Sequence, residues 1–207
     1  TGWLIHDTLS ALVHPRQACA ALVAALAVRG VEIVAEAPEA GQTLWATGVA
    51  GLETLNAGHP RLVGAGIKGQ AALLQLDRGG AAQLFADGVH VIPHLDGTVA
   101  VGGTTEREYD SPDSTDAQLD AVIAKARAAV PALQDAAVIE RWAGLRPRSR
   151  SRAPMLGAWP GRPGQYIANG GFKIGFGMAP KVAEVMADLL LEGRDAIPEG
   201  FRVGDNL

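Results

Sequence analysis

Apolar and polar residues along this chain alternate in two rhythms, one of helices and one of short strands. After Pro15, the residues Ala18, Leu22, Ala25, Leu26 and Arg29 recur at spacings of three and four. That spacing lines one helical face, and Gly30 stops the helix. The stretch before it, Thr1 to Val13, is short and mixed and reads as extended chain or a strand. Val31 to Val34 reads as a short buried strand, and Glu36 to Gln42 as a polar turn with Pro38 and Gly41. Thr43-Leu44-Trp45-Ala46 reads as another strand, ending in Thr47-Gly48-Val49-Ala50-Gly51. Helix, strand, loop and strand in that order predict part of an α/β layer.

Further on, Val89 to Leu95 and Thr98 to Gly102 flank Asp96-Gly97. This predicts an antiparallel hairpin closed by a tight two-residue turn. Pro93 inside the first strand predicts an edge position or a bulge. His90 and His94 share a face with Ile92, either as exposed sheet positions or as part of a site. Leu119, Val122, Ile123, Ala126 and Val130 form a helical core stripe, capped by Ser114, Thr115 or Asp116 and ended by Pro131. Tyr166-Ile167-Ala168 reads as a strand, and Lys181 to Glu192 as a helix with Pro180 in its first turn and Gly193 at its end. Asp195 to Leu207 reads as an irregular tail.

Two stretches carry the candidate chemistry. Asn169 to Pro180 holds too many glycines for an ordinary strand or helix and leads into the last helix. It delivers backbone N–H groups to a helix N-terminus, where an anion or an electron-rich heterocycle is favoured. The other reading is a tight loop packed on backbone. Val138 to Arg152 concentrates arginines: Arg146 beside Trp142, Gly144 and Leu145, then Arg148, Arg150 and Arg152. Arginine grips carboxylate or phosphate through a bidentate fork, and a partly buried Arg146 wants an anionic partner. Arg150 and Arg152 read as solvated loop charges. Leu62 to Leu76 contains Gly64-Ala65-Gly66-Ile67-Lys68-Gly69, which matches G-x-G-x-x-G. The dinucleotide fingerprint needs a clear strand before it, a helix after it and an acidic residue about twenty positions on. Only Arg61-Leu62-Val63 precede the match, and Gln70 to Leu76 fits a strand as easily as a helix, so that reading is rejected here.

Composition narrows the classes. The 207 residues suffice for one sizeable core or two small ones, and 48% hydrophobic content marks a globular chain. A net charge of −4 opposes general nucleic-acid binding. Cys19 is the single cysteine, so no internal disulfide forms and a reducing, cytoplasmic setting fits. No run long enough for a membrane span, no signal peptide and no metal-ligand set is visible.

Three segments together resemble the C-terminal portion of the FAD-dependent D-amino acid oxidase family, which includes glycine oxidase and sarcosine oxidase. They are the hairpin Val89 to Thr105, Trp142-Ala143-Gly144-Leu145-Arg146-Pro147, and Asn169 to Pro180. Trp45-Ala46-Thr47-Gly48 resembles the turn that approaches the adenosine half of FAD, and Lys68-Gly69-Gln70 the segment that opens the substrate domain. The resemblance implies a mixed α/β fold: a partial FAD-binding half plus an antiparallel substrate-domain sheet with covering helices. Residues 1–58 would be the remainder of the FAD-binding domain, 59–140 the substrate domain, and 141–207 the return to the FAD-binding domain. The family's N-terminal G-x-G-x-x-G unit is absent, so the expectation is a piece of a longer flavoenzyme that lacks that segment and tends to associate with itself.

The resemblance also implies roles. The cofactor would be FAD, held by Gly48, Gly144, Gly170, Gly171, Phe172, Lys173, Ile174 and Gly175. An amino-acid or amine substrate would be held by Arg146, Lys173 and His90. Lys173 stands where the family usually carries an arginine, and His90 near a family tyrosine. The implied reaction is oxidation of a substrate C–N bond by hydride transfer to flavin, with no dedicated acid or base. The alternatives are a non-catalytic fragment or accessory subunit, and a related flavoprotein acting on tRNA bases, which the negative net charge opposes.

Overall fold

The computed structural model describes residues 2–207; the extended start read for the chain therefore has Thr1 outside the described residues. The elements follow in the order α1 (Pro15–Val28), β1 (Thr43–Trp45), α2 (Gly48–Ala57), β2 (Gly64–Gln75), β3 (Leu84–Ala86), β4 (Val89–Pro93), β5 (Thr98–Gly102), α3 (Ala117–Ala129), β6 (Val138–Ser149), β7 (Met155–Ala158), β8 (Gln165–Asn169) and α4 (Gly175–Glu192). Short 3-10 turns lie at Pro131–Leu133 and Val203–Asn206. The strands make two sheets, one ordered β1-β8-β7 and one ordered β3-β4-β5-β2-β6. The mixed α/β class read from the sequence is the class found. Among the described residues no helix is long and apolar enough to cross a membrane.

Contacts divide the chain into two units. The first holds the chain up to Pro38, Ala72–Gly102 and Asp120–Arg141. Its β3, β4 and β5 run antiparallel, with Val89, Val91, Val99 and Val101 buried. Two Asp-Gly dipeptides close the two hairpins in different ways. Asp87-Gly88 is the tight turn, with both residues at positive φ (47° and 77°) and Ala86 paired to Val89. That is the backbone a type I′ turn demands. Asp96-Gly97, read from sequence as the tight turn, belongs instead to a three-residue loop: His94 N–H bonds Thr98 O across it, and only Gly97 has positive φ. The Asp96 carboxylate accepts from the Thr98 N–H (3.2 Å) and hydroxyl (2.6 Å), which favours that wider loop. Pro93 sits at a local edge position, as expected, and not at a bulge. It ends β4 in register with Val99, beyond the reach of β3, so its missing N–H breaks no ladder there.

Three further expectations in this unit change. Val31 to Val34 forms no strand and its valines and isoleucine are exposed. His94 is buried, at 7% exposure, with its ring 4.3 Å from that of His14. α1 begins and ends where the pattern says, yet none of its residues is buried. It is tied down at its start, where Arg16 meets Glu140 (2.7 Å) and His14 meets Asp96 (3.3 Å).

The second unit holds Glu39–Ala71, Gly103–Leu119 and Trp142–Leu207. β1 lies parallel to β8, and β7 antiparallel to it. Leu52, Leu55, Val63, Met155, Trp159, Ile167 and Val203 form one core cluster. Leu156, Val185, Met186 and Ile197 form a second. α2 escaped the sequence reading, which left its first residues as the end of a strand; Leu52 and Leu55, three apart, were its signal. The tail is irregular as expected up to Phe201, but it is packed and ends in the 3-10 turn Val203–Asn206. Val203 and Asn206 are buried, Arg202 pairs with Asp195 (2.7 Å), and Asn206 accepts the Ser151 N–H (2.8 Å). α4 starts at Gly175, six residues before the expected Lys181, so Pro180 sits inside the helix rather than in its first turn. Gly193 ends it in the left-handed conformation, as expected. The G-x-G-x-x-G match lies wholly within β2, so it opens no helix.

Candidate active site

The site lies in the second unit and starts from three buried polar residues. Lys68, Gln70 and Glu106 are 2%, 0% and 7% exposed. Buried charge is tolerated only when it is paired and hydrogen-bonded. Lys68 Nζ lies 3.7 Å from both the Glu106 and the Asp116 carboxylates. Gln70 Nε2 donates to Glu106 (3.1 Å) and Asp116 (2.9 Å), and Gln70 Oε1 accepts the Asp116 N–H (2.9 Å). The Thr104 hydroxyl also bonds Glu106. Hydrogen bonds from Gln70, then the Gln118 N–H, hold the Asp116 carboxyl below its ordinary pKa. This network clamps β2 to the segment Thr104–Glu106, whose backbone bonds Lys68 both ways (3.0 and 2.9 Å).

The clamp builds a seat for Arg146. A Cβ on Gly69 would stand 1.8 Å from Arg146 Nη1, and one on Gly103 would stand 3.3 Å from Nη2. The guanidinium therefore occupies the volume those side chains would need. Its Nη1 donates to Thr104 O (3.1 Å) and Lys68 O (3.5 Å). Burial pulls the Arg146 pKa down, while the negative charge of Glu106 opposes that. Among the described residues no carboxylate is hydrogen-bonded to it.

The glycine stretch lies in the same unit. Asn169 Nδ2 donates to Gly48 O (2.7 Å), and its Oδ1 accepts the Gly170 N–H (2.7 Å). One amide thus joins the first residue of α2 to the glycine loop. Gly170 has φ +76°, and a Cβ there would meet Ser149 at 2.8 Å, so only glycine fits. Phe172 also has positive φ (45°), held by its N–H to Pro147 O (2.9 Å). Arg148 and Lys173 lie 5.8 and 5.6 Å from its ring centre. Ile174 caps α4 without a side-chain hydrogen bond, and Gly175 is the first helical residue. Gly171 approaches Gly175 within 2.8 Å of where a Cβ would be. Gly144 is an exposed position of β6 with open space beside it.

Of the residues read as site candidates, Arg146, Lys173, Gly48, Gly144 and Gly170 to Gly175 belong to this unit. His90 belongs to the other unit, exposed on β4 with its ring 4.6 Å from that of Phe85. The sequence reading passed over Gln70, Gly103, Thr104, Glu106 and Asp116 as site builders. Their one signal was the Lys-Gly-Gln segment, polar residues inside an apolar stretch.

The family model described as FAD dependent oxidoreductase, DAO, matches residues 1–189. The chain belongs to the FAD dependent oxidoreductase family. Over 110 residues it is 36% identical to glycine oxidase of Pseudomonas putida, a stretch covering 53% of this chain and 30% of that protein. Over 114 residues it is 33% identical to glycine oxidase of Pseudomonas aeruginosa, covering 55% and 31%. The chain therefore spans about a third of the length of these relatives. Its fold is that of iminodiacetate oxidase from Chelativorans sp. (TM-score 0.67, 24% identity, 80% of this chain and 46% of that one). It is also that of glycine oxidase from Bacillus cereus (TM-score 0.65, 24% identity, 74% and 43%).

Members of this family depend on FAD, and the residues present fit such a group. α2 and α4 each begin without a side-chain cap, so their first-turn N–H groups are available to a polar ligand edge. At both Gly48 and Gly175 a Cβ would meet nothing, so open space adjoins bare backbone at each helix start. Asn169 joins Gly48, the first residue of α2, to Gly170 in the loop that leads to α4. Gly48, Gly170, Gly171 and the backbone of Phe172 to Gly175 are the groups that would hold it.

Proposed function

We propose that this FAD-dependent oxidoreductase oxidises the C–N bond of an amino acid or secondary amine, and that this chain supplies the substrate-binding and flavin-capping part. The observation that carries the reading is Arg146: a half-buried guanidinium, seated on two backbone carbonyls, with no acid hydrogen-bonded to it among the described residues. Such a cation is poised for the carboxylate of a ligand. The family relationship and the names of the relatives support the amino-acid class.

In this reading Arg146 holds the substrate carboxylate and thereby orients the α-carbon. Lys173 adds a second cation on a flexible stem, without the fork an arginine would offer. The chemistry a bound FAD supplies is acceptance of the hydride that leaves that α-carbon. The N-terminus of α4 would steady negative charge gathering on the ligand edge beside it. Water then hydrolyses the imine product to a carbonyl compound and an amine or ammonia.

The test is anaerobic bleaching of the flavin band by candidate amines, followed by peroxide release in air. Arg146→Lys keeps the charge and loses the fork, and is expected to lower kcat/KM by about tenfold or more. Protein that takes up FAD but is bleached by no amino acid or secondary amine would sink this reading. Protein that takes up no FAD would point to an accessory chain instead.

A further inference from the structure

The second unit holds a cleft of about 260 Å3 with an unusual lining. Four of its lining residues are cationic, Arg107, Arg148, Arg152 and Lys173, and none is acidic. The chain as a whole carries a net charge of −4, so this is a local excess. Elsewhere Arg16, Arg141, Arg194 and Arg202 each meet a carboxylate, whereas Arg29, Arg61, Arg78, Arg127, Arg150 and Arg162, scattered over the chain, form no ion pair among the described residues. What sets the cleft apart is that its cations are gathered in one place. Among the described residues none of the four cleft cations forms an ion pair. Arg148 and Lys173 both lie near the ring of Phe172, 5.8 and 5.6 Å from its centre, so two of the like charges gather around one side chain. Like charges so placed repel, and an anion between them relieves the repulsion.

The cleft adjoins the seat of Arg146. Arg146 and Arg148 are two apart on β6, and Ile67 and Gly69 two apart on β2, so each pair shares a sheet face. Thr105, which lines the cleft, follows Thr104, whose carbonyl holds Arg146. Ile67 and Phe172 give the cleft an apolar floor for a short methylene chain. Once Arg146 and Lys173 are assigned to the α-carboxylate, three arginines remain that form no ion pair among the described residues.

We infer that the substrate is an amino acid carrying a second acidic group, carboxylate or phosphonate, and that Arg107, Arg148 and Arg152 receive that group. The inference rests on the function proposed above and names the substrate class of the same site. It makes Arg148, and Arg152, which the sequence reading left as a solvated charge, determinants of specificity.

Two measurements on the FAD-loaded protein test it. The first compares kcat/KM for alanine, aspartate and 2-amino-3-phosphonopropionate, each as both enantiomers. The second titrates the protein with succinate and with propionate by calorimetry, which needs no turnover. The expected result is at least about a tenfold preference for one of the acidic substrates over alanine, and tighter binding of succinate than of propionate. Arg148→Gln and Arg152→Gln should each lower the acidic-to-neutral ratio by about tenfold, with Arg148→Lys retaining part of it. The better of the two acidic substrates identifies the acid as carboxylate or phosphonate. Equal use of alanine and both acidic substrates, with succinate no tighter than propionate, would overturn the inference and leave the oxidase reading standing. Succinate binding that depends on Arg148, with no amine oxidised, would support the cleft and overturn the oxidase reading. Thermal melts of the variants separate loss of the cleft from loss of the fold.

Discussion

Gly69 and Arg146 share one volume, and the protein keeps the guanidinium by giving up a side chain. A Gly69→Ala change puts carbon 1.8 Å from Nη1, far inside contact distance. The expected outcome is a loss of amine turnover of about tenfold or more, with about 1–3 kcal/mol of destabilisation from overpacking. Steady-state kinetics and denaturant titration read both, and FAD uptake should be unaffected. His94 makes a second residue-scale prediction. Burial, then the charge of His14, holds its pKa below the ordinary imidazole value, against the pull of Asp96. The unfolded chain therefore takes up this proton at higher pH than the folded one. Stability is kept above about pH 6.5 and lost as pH falls through the depressed folded value. Melting temperature should drop between about pH 7.5 and 5.5, and less steeply in His94→Gln. Arg146 was legible in sequence because it sits in a compact run with Trp142 and Gly144. The buried network around Lys68 was not, because Gln70 meets Thr104, Glu106 and Asp116 only across gaps of 34 to 46 residues.

Among the elements, α4 departs furthest from its sequence reading. The usual rules place proline in the first helical turn, which set the expected start at Lys181. The chain instead coils from Gly175, because Met178 N–H reaches Ile174 O (3.0 Å) and the turn closes before Pro180 arrives. Pro180 then leaves Phe176 O without its helical donor. Pro180→Ala should restore that bond and raise unfolding stability by about 1–3 kcal/mol, read as a higher melting temperature. The hairpins teach a related lesson. Asp-Gly was rightly read as turn chemistry, but it occurs twice, and only the local hydrogen bonds of Asp96 decide which copy makes the wider loop. Periodicity found α1, α3 and the strand β8 because their patterns are local. It missed α2, whose start Gly48-Val49-Ala50-Gly51 has a helix-breaking composition and is helical because Leu52 and Leu55 fill a core.

For the molecule as a whole, apolar exposure is concentrated near the start of the chain. Trp3, Leu4, Ile5 and Leu9 are each at least 82% exposed, and Leu22 and Val28 of α1 are 65% and 88% exposed. Exposed apolar patches of this kind seek a partner. We expect this chain to bind a hydrophobic dye and to self-associate, as light scattering would show; a dye-silent monomer at micromolar concentration would contradict this.

The seat of Arg146 has one more consequence, in time rather than space. Its guanidinium rests on carbonyls that lie 42 and 78 residues earlier in the chain. Closing such long loops costs entropy before any contact repays it, and folding slows accordingly. During synthesis Gly69 and Gly103 emerge well before the residue they are shaped to admit. The seat, built from residues 68–116, is therefore filled last, when β6 settles beside β2.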